Sequence, residues 1–252
     1  MQISAVIITK NEERNIERCL VSLQNVVDEV IVVDSFSTDE TETICKKYNV
    51  RFYQQEWLGY AKQKNQANEL TTNDIILSID ADEALSPELQ KSILQLKQSG
   101  NTNSLGKMNR LNNYCGKWIR HGGWYPDRKI RIFNKNHAHW EGEIHETIVY
   151  PENMQLQFLT GDLLHYSYHS IEDHIKQADK FTTLTAQDAF EKGEKPSILS
   201  LVVIPKWKFL KDYIFKGGFL DGYYGYVICK ISAFASFLKY AKLKQLHKQN
   251  ER

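Results

Sequence analysis

The sequence lacks the glycine-rich loops with which many nucleotide-binding proteins hold phosphate groups. After the first apolar run the chain continues Thr9-Lys10-Asn11-Glu12-Glu13, so no Gly-x-Gly-x-x-Gly turn opens the first helix. A Gly-x-x-x-x-Gly-Lys-Ser/Thr loop is absent as well. These absences argue against a dinucleotide site and against a P-loop.

Cysteine is scarce and the charges of the chain nearly cancel. Cys19, Cys45, Cys115 and Cys229 lie far apart without a Cys-x-x-Cys pair, which predicts neither a zinc site nor a disulfide framework. We expect them to be buried, reduced thiols of a cytosolic protein. A formal net charge of +1 gives no overall field for nucleic acid, so we expect no nucleic-acid partner.

No apolar run in the sequence is long enough to span a membrane. The first run turns charged at Lys10, too soon for a secretory signal, and later runs are broken by Lys216, Asp221 and Lys230. We therefore expect the chain to stay in the cytoplasm. A hydrophobic content of 42% argues against disorder, and 252 residues suffice for one large core or a core with an appendage.

Strand and helix patterns alternate through the first hundred residues. Each apolar, β-branched run is followed by a helical pattern, and Ser86 with Pro87 begins the fourth helix. We also expect Asn11 to cap the first helix and Ser37 to Glu40 to form a capping box before the second. The alternation predicts an α/β fold with a mostly parallel sheet flanked by helices. The predicted strands are Ile3 to Thr9, Glu29 to Val33, Arg51 to Tyr53 and Ile75 to Ile79.

The run Ile75 to Ile79 ends abruptly in Asp80, Asp82 and Glu83. Carboxylates at the carboxyl end of a buried strand face the crevice where open α/β sheets bind ligands. Alternation places Asp80 and Asp82 on the same side of the backbone, where one metal ion or one ribose-phosphate could meet both. The alternative is that these acids open a loop that caps the next helix. Spacing alone leaves both interpretations open.

The missing glycine loops bear on this choice. If backbone amides do not hold a diphosphate, a divalent cation and basic side chains must meet its charge. The Asp80-x-Asp82 pair would then supply the site for that cation.

The motifs resemble family 2 glycosyltransferases of the GT-A fold. Three runs are similar to the amino-terminal half of that family, namely AVIITKNEERNIERCLVSL, VIVVDSFSTDET and KNQANELTTNDIILSIDADEALSPEL. Four more resemble the subgroup that adds glucose to the lipopolysaccharide core, namely RHGGWYPDRKIRIFNK, IHETI, GDLLHYSYHSIEDHI and GGFLDGYYGYVICKISAFASFLKYAKL. The resemblance covers nearly the whole chain.

The resemblance implies an inverting transfer of a sugar, glucose from UDP-glucose, to a saccharide or lipid-linked acceptor such as the lipopolysaccharide inner core. It implies Mg²⁺ or Mn²⁺ as cofactor, because oxygen ligands from a carboxylate, the diphosphate and water suit these ions. Asp80 would contact the ribose and Asp82 would bind the metal. The other implied nucleotide contacts are Thr9, Glu12, Asp34, Lys64 and Asn65.

Inversion needs a base that takes the proton from the acceptor hydroxyl. The acids beyond the nucleotide half are Asp127, Glu141, Glu143 and Glu146. His145-Glu146 stands where many family members have an acidic pair that includes the base, although here the first position is His. We favour Glu146 over Asp127.

The segment between the metal motif and the proposed base is rich in aromatic, turn and basic residues. Trp124 or Tyr125 could stack against a sugar ring, as alternatives to a core position, and Arg128 and Arg131 could hold a phosphate. Of the later histidines, His165 is the one expected near the metal as a late ligand.

The composition changes near residue 200 to aromatic, aliphatic and lysine residues. This pattern fits amphipathic helices at an anionic membrane surface, or equally a homodimer interface. With a lipid-linked acceptor we favour peripheral attachment to the cytoplasmic face of the inner membrane. We predict a nucleotide-sugar-binding half at 1–100, an acceptor-binding and catalytic half at 101–180, and a helical region at 181–252.

Two other functions stay open at this point. A metal-dependent nucleotidyltransferase would also join a metal to a nucleotide, but it normally needs a glycine-rich basic loop after the first strand, which this chain lacks. A catalytically silent membrane adaptor of GT-A-like fold would have no need for Asp82.

Overall fold

A computed structural model of the protein describes residues 1–142 and 146–250. These residues form two compact units. The first comprises Met1–Arg110 and Asp127–Tyr166, and the second comprises Leu111–Pro126 and residues 167–250. The boundary predicted at residue 180 lies inside a helix of the second unit, Ile171–Glu191.

The first unit alternates strands and helices over its first hundred residues, as predicted. Ser86 accepts a hydrogen bond from the amide of Leu89 and caps the helix that begins at Pro87, as the sequence indicated. The elements are β1 (Ile3–Thr9), α1 (Ile16–Leu23), β2 (Glu29–Asp34), α2 (Thr41–Cys45), β3 (Arg51–Gln54), α3 (Tyr60–Glu69), β4 (Ile75–Asp80), β5 (Glu83–Leu85) and α4 (Pro87–Ser99). The strands that follow are β6 (Ser104–Tyr114), β7 (Lys117–Ile119), β8 (Asp127–Asn134), β9 (His139–Glu141), β10 (Thr147–Val149) and β11 (Gln155–Tyr168).

The main sheet of the first unit runs in the order β3-β2-β1-β4-β8-β6-β11-β5 over the residues described. The strands β3, β2, β1 and β4 are parallel, which is the arrangement that the alternating sequence predicted. Beyond β4 the sheet becomes antiparallel, because β8 pairs antiparallel with both β4 and β6, and β5 with β11. The α/β class is confirmed, with a mixed sheet.

Hydrophobic side chains cover both faces of this sheet. All seven residues of β1 are buried, and their side chains alternate between two separate core clusters. Ile3 and Ile7 pack with α1 and α4 residues on one face, while Val6 and Ile8 pack with Phe133 and Trp140 on the other. A strand buried on both faces explains the uninterrupted apolar run in the sequence.

Two predicted helix caps are wrong. Asn11 has a positive φ of 55° and its side chain accepts a hydrogen bond from the amide of Thr38, so α1 begins only at Ile16. The amide and hydroxyl of Ser37 both donate to Asp34 instead of forming a capping box, and α2 begins at Thr41. In both places a side chain near the end of a strand binds the neighbouring loop in preference to a helix terminus.

The second unit is built mainly from helices. Its elements are β7 paired with the outer end of β6, α5 (Ile171–Glu191), α6 (Ile198–Leu210), a π-helical turn (Lys211–Phe215), a 3-10 turn (Gly218–Asp221) and α7 (Gly222–Asn250). Tyr114, Ile119 and Ile228 form one buried cluster, and Ala186, Ala189 and Leu243 form another between α5 and α7. The helical carboxyl-terminal region is therefore as expected. Within the described residues, no helix has the length and apolarity needed to cross a membrane.

One close approach in the first unit requires glycine. Gly161 in β11 has a φ of +95°, and a Cβ placed there would lie 2.2 Å from the amide nitrogen of Leu89 at the start of α4. We expect Gly161→Ala to lower the free energy of unfolding by about 3 kcal/mol or more, because the strand and the helix backbone must separate. Urea denaturation measures the loss.

The matched control is Gly100→Ala, at the end of α4. Its φ is +68° and a Cβ there would meet nothing within 4 Å, so only the backbone strain of about 1 kcal/mol applies. An equal decrease in the free energy of unfolding of the two variants would contradict the close approach of β11 to α4.

Candidate active site

The parallel strands bring their carboxyl ends, and the polar residues on them, to one edge of the first unit. Thr9 at the end of β1 is in register with Asp34 of β2, and Ile8 is in register with Asp80 of β4. Three segments predicted to bind the nucleotide therefore meet, as expected for the ligand edge of an open α/β sheet. Their side chains differ in what they contact.

Asp80 is enclosed by two cations. Its Oδ1 lies 3.0 Å from Nζ of Lys64, and its Oδ2 accepts a hydrogen bond of 2.8 Å from Arg131. Burial disfavours the charged carboxylate, but Lys64 and Arg131 outweigh this effect and hold the pKa of Asp80 below its ordinary value. The first acid of the motif is thus an ionised, fixed anion.

Arg131 does not face solvent as a phosphate-binding residue would. It is buried, with 3% exposure, and it also donates to Glu83 at 2.7 Å. Burial opposes its charge, but Glu83 and Asp80 raise the pKa of the guanidinium above its ordinary value. The predicted phosphate contact is replaced by a charge-balancing position inside the first unit.

Glu83 supports the loop that follows β4. Its side chain is fully buried, its Oε2 accepts the amide of Asp80 at 3.0 Å, and its Oε1 lies 3.6 Å from Arg110. This carboxylate therefore fixes the backbone turn between β4 and β5.

Asp82 and His165, the two residues predicted to bind the metal, contact each other. Nε2 of His165 lies 3.1 Å from Oδ2 of Asp82, and β11 places the histidine beside β5. In the described ranges 1–142 and 146–250 no cluster of three or more His, Cys, Asp or Glu residues could hold a metal alone. Two protein ligands fit an ion that takes its remaining ligands from substrate phosphates and water, which is how Mg²⁺ is commonly bound.

Lys64 connects Asp80 to the proposed base. Nζ of this lysine, which is 2% exposed, lies 3.1 Å from Oε1 of Glu146 and 4.5 Å from the ring centroid of Trp140. A cation shared by two carboxylates and an aromatic face is held tightly. Lys64 thus lies between Asp80 and Glu146, and its predicted contact with the nucleotide stays a prediction.

Asn65 fastens β9, the strand that precedes Glu146 in the chain. Its amide nitrogen donates to the carbonyl of Trp140 at 2.8 Å, and its amide oxygen accepts the backbone N–H of Trp140 at 2.9 Å. Both ends of the amide thus hold β9, which pairs antiparallel with β10. The structure gives Asn65 this anchoring position in place of the predicted nucleotide contact.

Asp127 is neutralised more fully than Glu146. Arg110 binds its Oδ2 through Nε at 2.9 Å and through a terminal nitrogen at 2.7 Å, and Lys129 lies 3.1 Å from Oδ1. Burial acts against the charge, yet the two cations lower the pKa of Asp127. A carboxylate stabilised in this way is a weak proton acceptor.

Arg128 is exposed, with its guanidinium 5.9 Å from the ring of Phe158.

The nucleotide contacts predicted on β1 and β2 differ in accessibility. Asp34 is fully buried and its two oxygens accept the amide and hydroxyl of Ser37, so it holds a turn. Thr9 is 5% exposed, and its carbonyl accepts the amide of Ser35. Glu12 is partly exposed at the same edge. Burial raises the pKa of its carboxyl to about 7, and the nearby charges of Asp82, Asp39 and Asp80 act in the same direction. A hydrogen bond from Asn15 acts in the opposite direction.

Four other residues were singled out in the sequence, and two of them lie within the described part of the chain. Glu141 is exposed and pairs with His139 at 2.9 Å. Glu143 and His145 lie outside the described residues. Trp124 packs in the second unit at 5.9 Å from the ring of Tyr114, which is the core position and not a free sugar platform.

Sequence reasoning missed Arg110 and Trp140. Both act through contacts with residues distant in the chain, and neither stands in a motif or follows a predicted strand. The basic and aromatic residues of β6 and β9 offered no local signal that distinguishes them from ordinary strand positions.

Comparison with known proteins places the chain in a family. The family model described as Glycosyl transferase family 2 matches residues 4–188. A glycosyltransferase of Rickettsia typhi is 36% identical over 97% of this chain and 87% of its own length. The lipopolysaccharide core biosynthesis glycosyltransferase LpsC of Rhizobium meliloti is 30% identical over 98% of this chain and 93% of its own length. Among solved structures, S. aureus TarS 1-349 in complex with UDP aligns with a TM-score of 0.49 at 16% identity, over 99% of this chain and 92% of that one.

The raised pKa of Glu12 predicts a pH-dependent cost to folding. The folded protein holds this proton more tightly than the unfolded chain, so the stabilisation is present below about pH 4.5 and is lost as the pH rises through about 7. We expect Glu12→Gln to match the wild type at pH 4.5 and to exceed it at pH 8 by roughly 1 kcal/mol, because the site is partly exposed. Urea denaturation at both pH values tests this.

Glu69→Gln, which removes the same charge from an exposed position on α3, is the control for a change in net charge. A Glu12→Gln gain at pH 8 no larger than that of the control would contradict the raised pKa.

Proposed function

Because the chain belongs to glycosyltransferase family 2, with the GT-A fold predicted from its sequence, we propose that it transfers glucose from UDP-glucose with inversion. The acceptor in this proposal is a saccharide or a lipid-linked saccharide such as the lipopolysaccharide inner core. The observation that supports it most directly is the buried cation of Lys64, which contacts both Asp80 of the Asp-x-Asp motif and Glu146, the proposed base. Such a set can hold both reactants of a group transfer close together.

The donor is bound at the carboxyl edge of β1, β2 and β4 in this proposal. Asp80 contacts the ribose hydroxyls, for which an ionised and fixed carboxylate is well suited. Glu12 accepts a hydrogen bond from the uracil, since it lies at the same edge and remains partly exposed. Arg128 is the exposed basic residue that meets a phosphate, because Arg131 is committed to Asp80 and Glu83.

Asp82 and His165 are the residues that would hold Mg²⁺ or Mn²⁺. When bound, the divalent cation neutralises negative charge on the departing UDP. His165 supplies a nitrogen ligand and Asp82 an oxygen ligand, and their separation of 3.1 Å lets them face the same point.

Glu146 takes the proton of the acceptor hydroxyl. The hydroxyl oxygen then forms the new bond to the anomeric carbon of the donor, while the bond from that carbon to the phosphate oxygen breaks and UDP leaves. Asp127 is the weaker candidate because Arg110 and Lys129 lower its pKa. Lys64 keeps Glu146 oriented toward the site through its contact at 3.1 Å.

The acceptor class rests on the relative LpsC, whose name assigns it to lipopolysaccharide core biosynthesis and whose similarity extends over 98% of this chain. Similarity over this length includes the segments beyond the donor half, where acceptors bind in the proposal.

Two substitutions test the proposed chemistry. We expect Asp82→Ala to lower metal-dependent transfer by at least about a hundredfold and to weaken donor binding, because the cation loses its carboxylate ligand. We expect Glu146→Gln to lower kcat by about 10²- to 10⁴-fold with the KM for UDP-glucose little changed. UDP release with a core oligosaccharide as acceptor measures both.

Asp127→Asn is the matched control for the base, since it removes the same kind of charge from the other candidate. If Asp127→Asn loses kcat and Glu146→Gln retains it, the base is Asp127. Transfer by Asp82→Ala with unchanged metal dependence would refute the metal site. Thermal stabilisation by NAD but by no UDP-sugar would refute the donor class.

We also propose that α6 and the turn after it bind the cytoplasmic face of the inner membrane. Ile198 is 80% exposed, Phe215 68% and Trp207 53%, which is far more apolar surface than scattered exposed residues explain. Lysines lie among them, including Lys206, Lys211 and Lys216, and the nearby Asp212 and Asp221 are buried. Apolar side chains interleaved with lysines complement an anionic lipid surface.

Vesicle sedimentation tests this attachment. We expect the wild type to bind vesicles of phosphatidylglycerol, more weakly at high salt, and the double variant Leu199→Glu with Phe215→Glu to bind at least about tenfold more weakly. Leu156→Glu, at a residue of the first unit that is 51% exposed, is the control. A wild-type dimer in light scattering that the double variant abolishes, without vesicle binding, would instead make this face a subunit interface.

A further inference from the structure

Two large aromatic side chains are exposed at the ligand edge of the first unit. Trp57 is 45% exposed and Tyr60 is 46% exposed, and their rings meet edge to face with centroids 4.8 Å apart. Trp57 lies in the segment that joins β3 to α3 and Tyr60 is the first residue of α3, and such segments emerge at the carboxyl edge of parallel strands. No motif singled out in the sequence includes them.

The aromatic pair is mounted on a firmly held segment. Gln63 is fully buried, and its side-chain oxygen accepts the backbone amide of Leu58 at 3.4 Å and the side-chain amide of Gln55 at 3.3 Å. Its nitrogen donates to the hydroxyl of Ser35, just after β2, at 3.3 Å. A pre-organised aromatic surface loses little conformational freedom when a ligand binds.

Tyr60 lies beside the carboxylates of the candidate active site. It stands one helical turn before Lys64, on the same face of α3, and Lys64 contacts Asp80 and Glu146. The electrostatic environment agrees with this position, because burial raises the pKa of Tyr60 and the charges of Glu146, Asp80 and Asp82 raise it further.

We propose that Trp57 and Tyr60 form a binding platform for a pyranose ring of the acceptor saccharide. The C–H groups on one face of a pyranose match the negative face of an aromatic ring, while carboxylates beside the ring accept hydrogen bonds from the sugar hydroxyls. An anionic lipid headgroup fits this place poorly, since Glu56, Asp82 and Glu146 would repel it.

The acceptor is the sugar that this platform meets, because Lys64, one helical turn after Tyr60 on α3, lies 3.1 Å from Glu146, the proposed base. The assignment rests on the proposed function, in which Glu146 takes the proton of the acceptor hydroxyl. A ring stacked on Tyr60 would bring that hydroxyl to the base.

Steady-state transfer from UDP-glucose to a deacylated core oligosaccharide tests the platform. We expect Trp57→Ala and Tyr60→Ala each to raise the KM for the oligosaccharide about three- to tenfold, with the KM for UDP-glucose unchanged. Trp57→Phe retains an aromatic face, and we expect its KM for the oligosaccharide to be close to that of the wild type. Leu58→Ala is the matched control, since Leu58 is 40% exposed on the same segment but is not aromatic.

Calorimetric binding of the oligosaccharide without donor separates this inference from the proposed function. If the wild type binds the oligosaccharide and Trp57→Ala weakens binding, the platform stands even where no UDP-sugar is turned over, and the proposed function fails alone. An unchanged KM for the oligosaccharide in both alanine variants overturns the platform. A raised KM for UDP-glucose alone, or an equal effect in Leu58→Ala, also overturns it.

Discussion

The charge balance around Asp80 is the interaction on which the candidate site depends. Lys64 and Arg131 are both buried, and each would be costly to bury without the carboxylates of Asp80, Glu83 and Glu146. Because each cation binds two acids, five elements, α3, β4, β5, β8 and the segment before β10, are joined by charge as well as by packing. Removing Lys64 would take its cation from Glu146, and removing Arg131 would leave the buried Glu83 only the more distant Arg110 at 3.6 Å.

This charge balance also distinguishes carboxylates that are fixed in place from carboxylates that are suited to metal binding or proton transfer. Asp80, Glu83 and Asp127 are held by cations or backbone amides, which suits fixed anions that orient a ligand or a turn. Asp82 faces His165, and Glu146 meets Lys64 through one oxygen. The acids that are held least rigidly are therefore those proposed for the metal and for proton transfer.

The sequence predicted the fold well because its signals are local. Buried strands such as β1 and β4 appear as apolar runs, and α4 begins where Ser86 and Pro87 indicated. Asp82 and His165 contact each other, and their predicted metal binding stays a prediction. Caps at Asn11 and Ser37 were wrong, since their partners, Thr38 and Asp34, lie on loops or strands whose proximity only the folded chain creates.

By itself the sequence determined the family, the succession of strands and helices along the first hundred residues and the acids at the end of β4, because motifs and periodicity are local in the chain. Only the tertiary structure decided which charges neutralise one another. Lysine and arginine commonly bind phosphate, but here Lys64 and Arg131 are buried and bind Asp80 at 3.0 and 2.8 Å. Trp57 and Tyr60 gained significance for the same reason, since the distance from α3 to Asp80 and Glu146 is set by packing and not by spacing along the chain.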